Sequence, residues 1–190
     1  MKTGSISVSG EINNGMALIR PPGHHSMKND INGFCGYNNV VLVAKAALSR
    51  GLKKILIVDF DVHHGQGIQF AFYDDPRVLY ISVHRYQHGS FWPNLRCGNS
   101  DAIGEGEGRG FNVNIPLNDI GCGDADYMAI WHHLVLPVSS EFNPELVLVS
   151  AGFDAALGCP EGEMVVTPAC YSHLVSPLMS LAKVICIFWN

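Results

Sequence analysis

The chain has 190 residues, of which 47% are hydrophobic, so it can bury a substantial core, and disorder is excluded as its main state. Only 15% of the residues are charged, against about 25% in an ordinary soluble domain. The net charge of −5, without a run of lysine or arginine, argues against nucleic acid as a direct substrate. The apolar runs are far shorter than the ~20 residues of a membrane span, and Met1–Gly10 lacks the pattern of a secretory signal.

Apolar segments of strand length alternate with longer segments of helical periodicity, which predicts an α/β fold with a largely parallel sheet. The predicted strands are Met16–Ile19, Lys54–Phe60, Val78–Val83, Phe111–Ile115, Glu145–Ser150 and Val184–Phe188. The predicted helices are Asn39–Arg50, Gly67–Phe72, a segment from Asp124 to about Phe142, and Pro168–Ala182. Pro137 should kink or interrupt the third helix. Because no repeat or linker divides the chain, one domain is the simplest arrangement.

The connection between the third and fourth predicted strands, His84–Gly110, is long, rich in glycine and mixed in polar and aromatic residues. Structureless loops of this length tend to be functional. We therefore expect this connection to help shape a site.

The densest cluster of polar residues is the segment DFDVHHGQG, residues 59–67, which follows a strong predicted strand. In open α/β sheets, ligands collect at the carboxyl ends of strands. Two carboxylates and two imidazoles are costly to bury there unless they bind a cation or pair with one another. Asp61 and His63 can point the same way and offer one oxygen and one nitrogen to a single zinc ion. A solvated loop of aspartate and histidine is the alternative.

A further carboxylate, Asp154, follows the predicted strand Glu145–Ser150 in a position that matches that of Asp61. It can complete a set of one histidine and two carboxylates, which leaves coordination positions for water and substrate. By itself, Asp154 could equally be a loop aspartate or a helix cap.

Adjacent histidines occur twice, at His24-His25 and at His132-His133. Such a pair can act as a general base and an electrostatic partner beside a metal-bound water. The first pair follows a rigid PPG segment after a predicted strand, which favours a functional role. The second pair lies within a predicted helix, and we interpret it as structural.

Seven motifs occur in order along the chain: RPPGHH, GFC, DFDVHHGQG, YISVHRY, FWP, NVNIP and LVSAGFDA. Together they resemble those of the zinc-dependent histone deacetylases, and HRYQHGSFWP and SAGFDAALGCPEGEM are most similar to class IIb, the group of histone deacetylases 6 and 10. The resemblance extends from about residue 10 to about residue 182. It implies a three-layer, parallel-sheet fold of the arginase/deacetylase type and a partial catalytic domain over residues 1–190.

The resemblance implies that Asp61, His63 and Asp154 hold one catalytic zinc ion. His24 and His25 match the tandem catalytic histidines of the family. In the family's mechanism, His25 would accept a proton from zinc-activated water and later return one to the leaving amine.

The same resemblance assigns neighbours to these histidines. Asp59 would orient His24, and Gln66 would contact His25 where class I members carry an aspartate. A neutral amide stabilises an imidazolium less than a carboxylate does, which predicts a lower pKa for His25 than in class I.

A structural potassium ion near the zinc is also implied by the resemblance. The matching positions, partly through backbone oxygens, are Asp59, Asp61, His63, Ser82 and Val83. Such a cation would offset the crowded carboxylates.

Three positions match the substrate tunnel of the family. Gly33 and Phe34 lie in the GFC motif, with Phe34 matching an aromatic wall of the acyl-lysine tunnel. Glu161 matches a gatekeeping glutamate of the polyamine deacetylase branch, where a carboxylate favours a cationic acetylpolyamine. A solvated loop glutamate is the alternative.

The sequence departs from the family pattern at both ends. The family's Gly-Gly-Tyr loop, whose tyrosine stabilises the transition state, would follow the last predicted strand, but the chain ends at Trp189-Asn190. Losing one such donor typically lowers turnover ~10²–10³-fold, so we expect an impaired chain. The segment before Gly10 is too short for the family's opening strand and helix, so we expect an incomplete fold.

Three functions therefore remain. The first is a zinc-dependent deacetylase acting on acetyl-lysine in proteins such as histones or tubulin, with acetylpolyamine as a variant substrate. The second is a catalytically impaired fragment that acts only as an interaction module. The third, a ureohydrolase-like enzyme, is disfavoured because that group carries DxHxD for two manganese ions, whereas this chain carries DxDxH.

The six cysteines include no CxxC pair and are too sparse for a disulfide scaffold, which indicates a reducing compartment. Together with the resemblance, this predicts a cytoplasmic or nuclear location and no association with a membrane.

Overall fold

Six parallel strands form one sheet in the computed structural model, which describes residues 14–189. The strands are β1 Asn14–Leu18, β2 Ile55–Asp59, β3 Val78–Arg85, β4 Asn112–Leu117, β5 Leu146–Ala151 and β6 Val184–Trp189. Their order in the sheet is β1-β6-β5-β2-β3-β4, and every pairing is parallel. The predicted parallel α/β sheet is confirmed, whereas the predictions for Met1–Gly10 lie outside the described residues.

Five α-helices connect the strands in the described part of the chain: α1 Asn39–Ser49, α2 Gln66–Phe72, α3 Asp124–Ile130, α4 Leu136–Phe142 and α5 Pro168–Leu178. The helix predicted from Asp124 to about Phe142 is interrupted by a π-helical turn, Trp131–Val135, and Pro137 lies in the first turn of α4. Proline has no N–H to donate and its ring crowds the carbonyl four residues earlier, so a regular α-helical pattern cannot pass this point.

Helix α5 ends at Leu178, before the predicted end at Ala182. Its last turn tightens into bonds between residues three apart, from Met179 N to Ser176 O and from Ser180 N to Pro177 O. Such bonds satisfy carbonyls at a helix end and stop the helix.

The sheet is covered on both faces, so the molecule has three layers. Leu56 and Val58 of β2 pack on one face with Trp131 and Leu174 from the α3 to α5 side. Ile55 and Ile57 pack on the other face with residues of α1 and α2. Because both faces are buried, β2 and β5 each begin with four consecutive apolar residues rather than alternating ones.

The sheet order places the carboxyl ends of β2 and β5 side by side, with Asp59 paired to Ser150. The two segments that carry Asp61 and Asp154 therefore leave the sheet at neighbouring points. Among residues 14–189, no helix combines the length and apolar character needed to cross a membrane.

Candidate active site

Two carboxylates and one histidine converge beyond the ends of β2 and β5. The Nδ1 atom of His63 lies 3.1 Å from Asp61 Oδ1 and 2.9 Å from Asp154 Oδ2. One ligand atom from each of the three residues lies within 4.8 Å of the other two. The structure thus brings together the three residues predicted as zinc ligands.

Backbone hydrogen bonds hold these carboxylates in place. Val62 N donates to Asp154 Oδ1 at 2.8 Å, which ties the two strand ends together. His63 N donates to Asp61 Oδ1 at 2.9 Å. Gly152 allows the close approach, because a Cβ at that position would collide with the carboxylate of Asp61. The glycine after β5 is therefore required for this geometry.

The predicted histidine pair lies next to this cluster, and both rings are buried. His24 Nδ1 is 3.0 Å from Asp59 Oδ2, and His25 Nδ1 is 2.8 Å from Gln66 Oε1. Carboxylate and amide oxygens accept hydrogen bonds, so each Nδ1 is the donor and each Nε2 remains available. The rings lie 3.8 Å apart between centroids.

The two adjacent histidines have opposite pKa shifts. Burial lowers the pKa of His24, but the negative charges of Asp61 and Asp59 outweigh it and raise the pKa to about 9. Burial and the nearby charge of His24 lower the pKa of His25 to about 2. Burial is the leading cause of the low pKa of His25, and the hydrogen bond to Gln66 partly offsets it, so the expected difference from class I members stays a prediction.

The charges of Asp61, His63 and Asp154 shift one another's pKa values. Burial raises the pKa of Asp154, and the charge of Asp61 raises it further. Burial lowers the pKa of His63, but its hydrogen bonds to Asp154 and Asp61 raise the pKa to about 10. One imidazole nitrogen and two carboxylates are a donor set that suits zinc, so these residues fit the implied ion.

A cleft of about 740 Å³ opens over the cluster. The predicted tunnel residues Gly33, Phe34 and Glu161 line it, together with the zinc-ligand candidates. Phe34 is 92% exposed, so it stands at the mouth of the cleft. A Cβ on Gly33 would collide with the rings of His25 and Trp92, so this glycine lets the wall close around them.

Two aromatic residues of the site were not among the predicted site residues. Phe91 stacks on His63, with ring centroids 5.1 Å apart, and Trp92 meets the edge of His25 at 4.5 Å. Both lie in the connection between β3 and β4 that was predicted to shape a site. The FWP motif was the sequence signal for these two residues. Its spacing does not indicate which histidine rings they contact.

The remaining residues singled out from the sequence are the predicted potassium ligands Ser82 and Val83 and the pair His132-His133. Ser82 is buried and hydrogen-bonds His84 Nδ1 at 2.8 Å, and Val83 packs in the core. The predicted potassium site at these residues stays a prediction. The pair His132-His133 is exposed on the π-helical turn, outside the cleft residues.

Comparison with known proteins shows which family the chain belongs to. The histone deacetylase domain matches residues 3–189. The chain belongs to this family. It is 57% identical over 176 residues to the polyamine deacetylase HDAC10 of Rattus norvegicus, covering 92% of this chain and 30% of that protein. It is 51% identical over 176 residues to histone deacetylase 6 of Caenorhabditis elegans, covering 93% of this chain and 18% of that protein.

The crystal structure of the HDA15 HD domain superposes with a TM-score of 0.95 at 44% identity, covering 100% of this chain and 53% of that chain. The predicted family, its class IIb character and the arginase/deacetylase fold are thereby confirmed. The family is one of amide hydrolases, as predicted. The chain spans less than a third of the length of these two curated relatives.

Proposed function

We propose that this chain carries the catalytic centre of a zinc-dependent deacetylase that hydrolyses the acetamide of an acetylated amine. The observation that carries the proposal is the convergence of Asp61, His63 and Asp154 within 4.8 Å beside the oriented pair His24-His25. Zinc bound there would supply a Lewis acid that lowers the pKa of water and polarises the amide carbonyl.

The protein residues would move and hold protons. His25, with Nδ1–H held by Gln66 Oε1, presents Nε2 to the cleft as a general base, and its ring is neutral in the zinc-free chain. His24 is held by Asp59, and in the zinc-free chain the carboxylates of Asp61 and Asp59 keep its ring protonated at neutral pH. Phe91 and Trp92 limit water on one side of the cleft.

The test of this function is acetate release by the full chain supplied with one equivalent of zinc. We expect hydrolysis that is abolished in His25→Ala, because that variant lacks the group that would accept the proton from water. If the chain binds one zinc but releases no acetate from any acetylated amine, the alternative of a non-catalytic interaction module is favoured.

Glu161 supports an acetylpolyamine as the substrate. Its carboxylate lines the same cleft as the zinc-ligand candidates and His25. A negative charge at the mouth attracts a substrate that carries ammonium groups and gives little advantage to an uncharged one. The HDAC10 relative, a polyamine deacetylase by name, is consistent with this choice.

The prediction is that Glu161→Leu lowers kcat/KM for acetylspermidine up to about fivefold, the effect of one exposed charge pair of up to about 1 kcal/mol, and spares an acetyl-lysine peptide. Kinetics with both substrates measure the ratio. Glu107→Leu, at another exposed loop position, is the control. An equal loss on both substrates would remove the gatekeeper role.

A protein lysine deacetylase acting on histone tails, tubulin or similar chains is the second candidate. The observation that favours it is the 92% exposure of Phe34 at the mouth of the cleft, where an aromatic surface can pack against an acyl-lysine stem. Six free cysteines support a reducing compartment for either substrate, and cytoplasm or nucleus is our proposal.

Potassium is proposed as an accessory ion. Asp59 and Ser82 are fully buried neighbours in the register of β2 and β3, and burial raises the pKa of Asp59. A monovalent cation near them would stabilise the ionised carboxylate.

A further inference from the structure

A second group of potential metal ligands lies next to the first. His24, His25 and Asp61 each offer a ligand atom within 4.8 Å of the other two, and all three residues are buried. His24 Nε2 lies 3.5 Å from Asp61 Oδ2. Tetrahedral zinc with bonds of about 2.0–2.2 Å places its ligand atoms about 3.3–3.6 Å apart, so this spacing matches one edge of a zinc site.

The orientation of both rings suits metal binding. Metal-ligating histidines usually donate their other ring N–H to a carboxylate or another acceptor, which fixes the ring and makes the free nitrogen more basic. His24 has such a partner in Asp59, and His25 has one in Gln66. Nε2 is therefore the nitrogen of each ring that an ion would bind, and at His24 the ion would displace the proton that Nε2 carries in the metal-free chain at neutral pH.

Asp61 divides its two oxygens between the two groups. Oδ1 lies 3.1 Å from His63 Nδ1, in the first group, and Oδ2 lies nearest His24, in the second. A carboxylate shared in this way can bridge two ions about 3.5–4 Å apart, as in two-metal hydrolytic sites. The charge also permits it, because Asp59, Asp61 and Asp154 together exceed the charge of one divalent cation.

We propose that His24, His25 and Asp61 form a second divalent-metal site, filled when zinc exceeds one equivalent. An ion there occupies Nε2 of His25, which would otherwise accept a proton, and removes the positive charge of His24, so it inhibits the enzyme. The binding itself is independent of catalysis, whereas the inhibition rests on the function proposed above.

Zinc-edge anomalous diffraction from crystals of the full chain locates the ions directly. We expect one peak at Asp61, His63 and Asp154 with equimolar zinc chloride, and a second peak between His24, His25 and Asp61 with excess zinc chloride. A single peak at both concentrations, or a second peak elsewhere, overturns the proposal. The absence of a peak at Asp61, His63 and Asp154 would instead count against the proposed function. The presence or absence of the peak between His24, His25 and Asp61 would still decide the second-site proposal.

Calorimetric titration tests the second site in solution by measuring how many zinc ions the chain binds. Wild type is expected to bind two ions, and His25→Ala and His24→Asn one each. The matched control is His132→Ala with His133→Ala, which removes the exposed adjacent pair and should still bind two. Loss of the second ion in this control, and not in the two cleft variants, contradicts the site. Thermal unfolding of each variant identifies any that fail to fold, and the diffraction result on wild type needs no variant.

Discussion

At the scale of single residues, the neighbours of each histidine set its protonation. His24 faces Asp59 and Asp61 and has a pKa of about 9, whereas His25 faces a neutral amide and has a pKa of about 2. Burial favours the neutral form of both rings, and only the carboxylates beside His24 reverse that effect. The pair therefore presents one cation and one neutral base to the cleft at pH 7.

Gln66→Glu should raise the pKa of His25. A carboxylate 2.8 Å from Nδ1 stabilises the imidazolium, whereas the native amide carries no net charge. Imidazole NMR as a function of pH, on the zinc-free chain, measures the shift. Gln87→Glu, in the connection between β3 and β4, is the control that adds the same charge away from this ring. An unchanged titration of His25 would show that Gln66 does not control its protonation.

At the scale of elements, the ends of β2 and β5 build the site, and one glycine decides how closely they approach. Gly152 is buried directly after β5, and a Cβ there would meet the side chain of Asp61. Gly36, in the nearby loop, has open space by comparison, with the nearest atom 3.8 Å from a Cβ.

Gly152→Ala should weaken zinc binding at least tenfold and destabilise the chain by about 1–3 kcal/mol, since the added methyl group displaces Asp61. Gly36→Ala, the matched control, should leave both quantities nearly unchanged. Calorimetric zinc titration and urea unfolding supply the two measurements. Equal zinc affinities in the two variants would mean that Asp61 tolerates displacement.

The elements also show where sequence reasoning succeeds. The continuous apolar runs of β2 and β5 predicted buried parallel strands, and the polar residues after them predicted the site, because ligands gather at strand ends. The packing of Phe91 and Trp92 on the histidines was not predictable. It depends on how an irregular connection folds back over the sheet, and neither periodicity nor turn signals encode that path.

At the scale of the whole molecule, buried histidines make the fold sensitive to acid. Burial lowers the pKa of His64 to about 4 and that of His84 well below its ordinary value. A histidine with a lowered folded pKa stabilises the fold above pH 6.5, and that contribution is lost as pH falls from 6.5 toward the folded pKa. The raised pKa values of His24 and His63 act in the opposite direction: their stabilising contribution is fully present below pH 6.5 and is lost as pH rises through the folded values of about 9 and 10, so it adds nothing to the loss in acid.

The zinc-free chain should therefore lose stability between pH 7 and pH 5. His64 alone accounts for about 2 kcal/mol of that loss, from the shift between 6.5 and about 4. Urea unfolding at a series of pH values measures the slope, and His132→Ala, at an exposed position, should leave it unchanged. A stability that stays constant from pH 7 to pH 5 would contradict the buried neutral state of these rings.

The central claim is that Asp61, His63 and Asp154 hold one zinc ion at the joined ends of β2 and β5, and the affinity of the first zinc equivalent tests it most directly. Calorimetric titration of wild type and Asp154→Ala, with Asp101→Ala as an exposed control, gives that affinity. We predict a loss of at least about 100-fold in Asp154→Ala alone, because one of three protein ligands is removed. Equal affinity for the first ion in all three proteins would contradict the account.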